Sequence, residues 1–180
     1  VEPENSQTYI IGHWNYPANT IKPVYVVSTG DEVELFLNGR SLGKGKQSYR
    51  YLFTFDSVPY EPGTLEAVAS DGSRYKLETA SEPYQLKLTT IENPEGMKAD
   101  GADMALIQVE VVDKQGRRCP LDNRPINFTL MGEGRWIDGI ASGKVGNYVG
   151  AMTLPVECGI NRVLVRSTVN AGTITVYAST

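Results

Sequence analysis

Acid–base or nucleophilic chemistry in this chain would have to run through very few side chains. One histidine, His13, and two cysteines, Cys119 and Cys158, stand among 180 residues. A Cys/His or Ser/His pair needs nucleophile and base within hydrogen-bond reach, and His13 lies far from both cysteines in sequence. No C-x-x-C pair supplies the ligand spacing of a zinc cluster. Asp100, Asp103 and Asp113 offer oxygen atoms but lack the dense alternating spacing of a calcium loop. The expectation is therefore no catalytic, cofactor or metal residue. What remains is aromatic: His13-Trp14-Asn15-Tyr16-Pro17. Exposed rings stack on sugars, whereas Trp and Tyr also bury large areas at junctions where one end stays wet. Packing or an interface is the preferred reading for His13, Trp14 and Tyr16, with sugar contact as the alternative.

The elements that must position these residues read as β throughout. Residues 1–17 lead into Ile21–Ser28 (IKPVYVVS), where Pro23 suggests a sheet edge or strand start because it cannot donate to a ladder. In Glu32–Leu37 (EVELFL), Val33, Leu35 and Leu37 share a face by period two. Asn38-Gly39 is a type I′ hairpin signal, since both central positions need positive φ. Strands follow over 51–55, 63–70 and 75–79. Tyr49, Tyr51 and Phe53 alternate with Arg50, Leu52 and Thr54, which predicts one shared face, either core or sugar platform. Ser81-Glu82-Pro83 reads as a short, stiff boundary. Strands then recur over 84–90, 105–112, 126–130, 148–154, 161–167 and 173–178. Short strands broken by turn residues describe sandwiches. The expectation is an all-β chain of two tandem immunoglobulin-like β-sandwich domains, 1–83 and 84–180, with a single large barrel as the runner-up.

Composition excludes several function classes. The net charge of −4 and the excess of 11 acidic over 7 basic residues within 1–84 argue against nucleic acid as a partner. No apolar run approaches the roughly 20 residues of a membrane-spanning helix. An apolar fraction of 41% supports real cores. A start at Val1 reads as an excised or processed piece of a longer protein.

Two stretches carry a resemblance. The HWNYP element at 13–17, followed by DEVELFLNGRSLG at 31–43, resembles the segment after the catalytic barrel in bacterial glycoside hydrolases of family 2, the β-galactosidase family. Ala99–Asp103 with Val109–Gly116, and later Leu164–Ser167 with Ala171–Val176, resemble bacterial immunoglobulin-like repeats, as in invasins. Pro155–Thr168 (PVECGINRVLVRST) is similar to the final sandwich of the same hydrolases.

The resemblance implies that the acid and nucleophile are glutamates of a preceding (β/α)₈ barrel, so no residue here inherits either role. Retaining chemistry needs two carboxyls about 5 Å apart across a sugar-sized cleft. The chain is then an accessory C-terminal region whose partner is its own barrel, with carbohydrate as a second candidate partner. A carbohydrate-binding module and a surface adhesion or stalk segment are the alternatives. A periplasmic or extracellular location follows from the resemblance alone. It permits oxidation, so Cys119 and Cys158 are read either as a bridge or as two thiols.

Overall fold

The computed structural model describes residues 5–139 and 150–180. Those residues contain strands, turns and bends but no helix. The chain divides into two compact units, 1–80 and 81–180.

The first unit is a sandwich of two four-stranded antiparallel sheets. Its strands are β1 (Thr8–Ile10), β2 (Ile21–Ser28), β3 (Val33–Leu37), β4 (Arg40–Lys44), β5 (Lys46–Tyr49), β6 (Leu52–Pro59), β7 (Thr64–Ala69) and β8 (Arg74–Glu78). One sheet has the order β1-β2-β6-β5 and the other β4-β3-β7-β8. The period-two pattern of the sequence sets the core. Val33, Leu35 and Leu37 face inward as expected, against Val24, Val26, Phe53 and Phe55 from the opposite sheet.

The hairpin between β3 and β4 has Asn38 at φ 50° and Gly39 at φ 79°, with Leu37 paired to Arg40. Both central residues are left-handed, as a type I′ turn requires. The chain then changes sheets at Gly45. Lys44 pairs with Glu34 of β3, whereas Lys46 pairs with Thr54 of β6. A Cβ on Gly45 would sit 2.7 Å from the Phe55 ring, so the crossover needs a residue without a side chain.

Pro23 stands near the start of β2, on a stretch that β1 leaves unpaired, as its missing N–H suggests. The register with β6 also shifts there, between Lys22 and Val24. One expectation for this unit is corrected. The face shared by Tyr49, Tyr51 and Phe53 does not exist. β5 ends at Tyr49, and Arg50-Tyr51 form a turn with Tyr51 at φ 69°. Tyr49 is therefore 75% exposed while Phe53 is 1% exposed.

The second unit packs two antiparallel sheets of orders β12-β14-β10-β9 and β13-β11-β15. Its strands are β9 (Gln85–Ile91), β10 (Met104–Val112), β11 (Pro125–Gly132), β12 (Gly134–Gly139), β13 (Thr153–Pro155), β14 (Ile160–Ser167) and β15 (Ile174–Ser179). Ile107, Val109 and Val111 of β10 meet a core that includes Ile126, Phe128, Leu154, Val163 and Val165, all buried. The strand expected from Tyr148 begins outside the described residues, and its described part is β13. Composition gave no sign of β12, a glycine-flanked strand that joins the sheet through β14.

Asp113 holds the start of this unit to the turn after β10. Its fully buried carboxylate accepts from Ser81 N (2.9 Å), Gln115 N (2.9 Å), Arg117 N (2.9 Å) and Arg117 Nε (2.8 Å). Burial alone would raise the Asp113 pKa. The donors of Ser81, Arg117 and Gln115 outweigh it and hold the group well below the usual carboxylate range. Both cysteines are free thiols, Cys119 buried and Cys158 exposed. Burial, the largest cause, pushes the Cys119 thiol up, and the nearby Asp113 charge adds to it.

Candidate functional site: the aromatic lead-in cluster

The candidate residues lie in the segment between β1 and β2. Trp14 is 1% exposed and belongs to the core of the first unit. Its indole Nε1 donates to the Glu61 carbonyl at 3.0 Å, and its own carbonyl accepts from Thr79 Oγ1 at 2.8 Å. Both polar ends are satisfied inside the fold, and no ring face is left for a sugar or a second domain. Trp14 packs inside the first unit and offers no exposed ring.

Tyr16 and His13 are half-buried around it. The Tyr16 ring meets Trp14 edge-on (centroids 6.0 Å, 76°), and Tyr60 meets Trp14 at 5.3 Å and Tyr16 at 5.8 Å, also edge-on. Edge-to-face packing of this kind suits the aromatic quadrupole. Lys22 Nζ donates to Tyr16 OH at 2.6 Å. His13 stacks on Tyr16 at 4.5 Å and 22°, and its Nδ1 accepts from Asn15 N at 3.2 Å. A coplanar, solvent-facing pair of rings, the sign of a sugar platform, is not what this cluster builds. Its rings lock one another.

Sequence reasoning missed Asn15 and Tyr60. Asn15 reaches across the unit to the backbone of Ala80, donating from Nδ2 to the carbonyl (2.8 Å) and accepting the N–H on Oδ1 (3.0 Å). Neither contact has a local signal, because each partner is distant in sequence. The motif HWNYP thus anchors the chain. Trp14 fills the core and Asn15 ties the lead-in segment to the end of the unit.

The aspartates suggested for calcium are committed to other partners. Asp100 Oδ1 accepts from Ala102 N and Asp103 N, both at 2.8 Å, and Asp103 Oδ2 accepts from Lys98 N at 2.8 Å. The backbone donors of Ala102 and Asp103 lower the Asp100 pKa. Among the described residues, no three His, Cys, Asp or Glu side chains gather as a metal site.

A groove of about 750 Å³ lies where the edge strands β1 and β8 of the two sheets approach. Tyr9, Tyr51, Tyr75, Arg74, Ser28 and Ser73 are among the residues that line it. The Tyr9 and Tyr75 rings are 4.6 Å apart, tilted by 55°.

The arrangement is that of a sandwich pair built around structural contacts, and comparison with known proteins defines its class. Residues 86–180 match the glycoside hydrolase family 2 C-terminal domain 5, and residues 19–75 match a domain of unknown function (DUF4982). The chain belongs to glycoside hydrolase family 2, as part of its C-terminal region. It is 45% identical over 177 residues to a β-glucuronidase of Formosa agariphila, covering 96% of this chain and 18% of that protein. It is 34% identical over 140 residues to the β-galactosidase BoGH2A of Bacteroides ovatus, covering 75% of this chain and 16% of that protein. The solved structure of a family 2 β-glucuronidase superposes with a TM-score of 0.89 at 44% identity, covering 97% of this chain and 19% of the other. A family 2 member from Bacteroides cellulosilyticus gives 0.85 at 27% identity, with 98% and 27% covered. The chain therefore spans about a fifth of the length of these relatives.

Proposed function

We propose that this chain is the non-catalytic accessory C-terminal region of a bacterial glycoside hydrolase that removes a β-linked glucuronic acid or galactose unit. In this reading the two sandwiches support or shape the catalytic barrel supplied by the rest of the polypeptide. The observation that carries it is the 45% identity, sustained over 177 residues, to a fraction of a β-glucuronidase. The family chemistry requires two carboxyls about 5 Å apart across a sugar-sized cleft. Five carboxylates serve other ends: Asp113 is a buried hydrogen-bond hub, and Glu32, Glu61, Glu66 and Glu78 pair with lysine or arginine at the surface. The four-plus-three strand arrangement of the second unit supports an immunoglobulin-like description. We take the parent enzyme to act in the periplasm or outside the cell.

The test is hydrolysis of nitrophenyl β-glucuronide and β-galactoside by the whole protein and by residues 1–180 alone. The whole protein should turn over one of them and the piece neither. Turnover by the purified piece, abolished by a substitution within it, would overturn the reading.

A further inference from the structure

The two outer faces of the first sandwich differ in kind. On the sheet β4-β3-β7-β8, charged side chains pair with one another: Lys44 with Glu32 (2.6 Å), Lys76 with Glu78 (2.7 Å) and Arg74 with Glu66 (3.5 Å). That is a face finished for water. The sheet β1-β2-β6-β5 is different. Six large apolar residues of the described part of this unit are exposed: Tyr9, Ile11, Ile21, Tyr25, Val27 and Tyr49. Five lie on β1, β2 or β5, and Ile11 directly follows β1.

Strand register turns these residues into a surface. Tyr9 pairs with Val27, Val27 with Leu52, and Leu52, across a register shift in β5, with the exposed Tyr49, so one apolar row crosses all four strands. Tyr25 stands on the same face two pairs along, opposite Thr54, which pairs with Lys46. Their neighbours Thr8, Ile10, Val24, Val26 and Ser28 point into the core and fix the outward direction of Tyr9, Tyr25 and Val27. At one edge the row turns through Tyr9 onto Tyr75, where the groove of about 750 Å³ opens. A contiguous apolar face on one side of a domain marks an interaction surface.

We propose that the outer face of β1-β2-β6-β5 is the surface on which the remainder of the same polypeptide docks, an inference that rests on the accessory reading above. Three observations select that occupant. The relatives are about five times longer than this chain, and the matched family domain is a C-terminal one, which sets the remainder upstream. β1 is the first strand of the unit and itself carries Tyr9, so an upstream segment is tethered at the edge of this face. Tethering supplies a high effective concentration without further contacts. The middle of the row is aliphatic, Val27 and Leu52, which suits a protein surface.

The test is made on the whole protein, with single cysteines placed at Tyr49 and, as reference, at Lys76 on the opposite outer face, each in a Cys158→Ser background. Labelling with a maleimide is followed by mass spectrometry. Lys76→Cys should label at least tenfold faster than Tyr49→Cys. Equal rates would overturn the docking face while leaving hydrolysis by the same protein, and so the accessory reading, intact. Protection of Tyr49→Cys that vanishes on dilution would assign the face to a second copy and overturn the proposal. Saturable heat with galactosides or glucuronides, lost in Tyr49→Thr, would do the same in favour of a sugar site.

Discussion

Asn15 and Ala80 close the first unit on itself. The Asn15 amide donates to the Ala80 carbonyl at 2.8 Å and accepts its N–H at 3.0 Å, joining the segment before β2 to a residue two past the last strand. Each bond is worth about 1 kcal/mol net, and an orphaned backbone group costs more. Asn15→Ala should therefore destabilise the unit by about 2 kcal/mol, read as a lowered urea midpoint. Asn15→Asp should recover only part, because a carboxylate faces the Ala80 carbonyl. Identical midpoints for all three proteins would show that the clasp contributes nothing.

Trp14→Ala should act through the core. The side chain is 1% exposed, and deleting a buried Trp typically costs about 3–5 kcal/mol. Thermal unfolding of residues 1–180 should shift downward before any docking is considered. If Trp14→Ala leaves the melting curve in place, the indole is not where its hydrogen bond to Glu61 puts it.

Gly39→Val tests the hairpin. Gly39 has φ 79° with open space around its Cβ position, so the cost is backbone strain alone, about 1–3 kcal/mol. An unchanged melting temperature would rule out the left-handed requirement.

Gly45→Ala tests the sheet crossover by a different mechanism. Here the added methyl meets the Phe55 ring at 2.7 Å, and overpacking costs about 1–3 kcal/mol. Combining it with Phe55→Leu should return part of that loss, as coupled neighbours do. Simple additivity of the two changes would separate them.

Asp113 predicts an acid dependence. Its folded-state pKa lies below the unfolded value, so it stabilises the fold above about pH 4. That contribution declines as pH falls below about 4 toward the folded-state value. Asp113→Asn should lose on the order of 3 kcal/mol at pH 7, as when one partner of a buried pair is removed. It should also lose less stability than the unaltered protein between pH 5 and pH 3. Parallel acid profiles would contradict the assignment.

How much of this was legible in the sequence follows from the range of the interactions. Periodicity is local, so it placed β2, β3, β7 and β10 within a residue or so and gave Val33, Leu35 and Leu37 their core face. Turn chemistry is local too, and Asn38-Gly39 specified its hairpin. The motifs of 13–17 and 31–43 carried the family. What periodicity could not supply was any decision depending on a distant partner. It extended Tyr49 through Phe53 as one strand, because nothing nearby reports that Tyr51 turns left-handed to let β6 pair with β2.

The lead-in motif shows the same division. Its composition singled out His13, Trp14 and Tyr16 and left packing, an interface and sugar contact open. Only the tertiary structure decided that Trp14 faces inward, because the carbonyl of Glu61 and the hydroxyl of Thr79 come from the far side of the unit to satisfy it. Likewise, the apolar row Tyr9–Val27–Leu52–Tyr49 exists only after register is fixed, since its members come from four strands that share no sequence period. Local physics wrote the strands; long-range pairing chose which face each one shows.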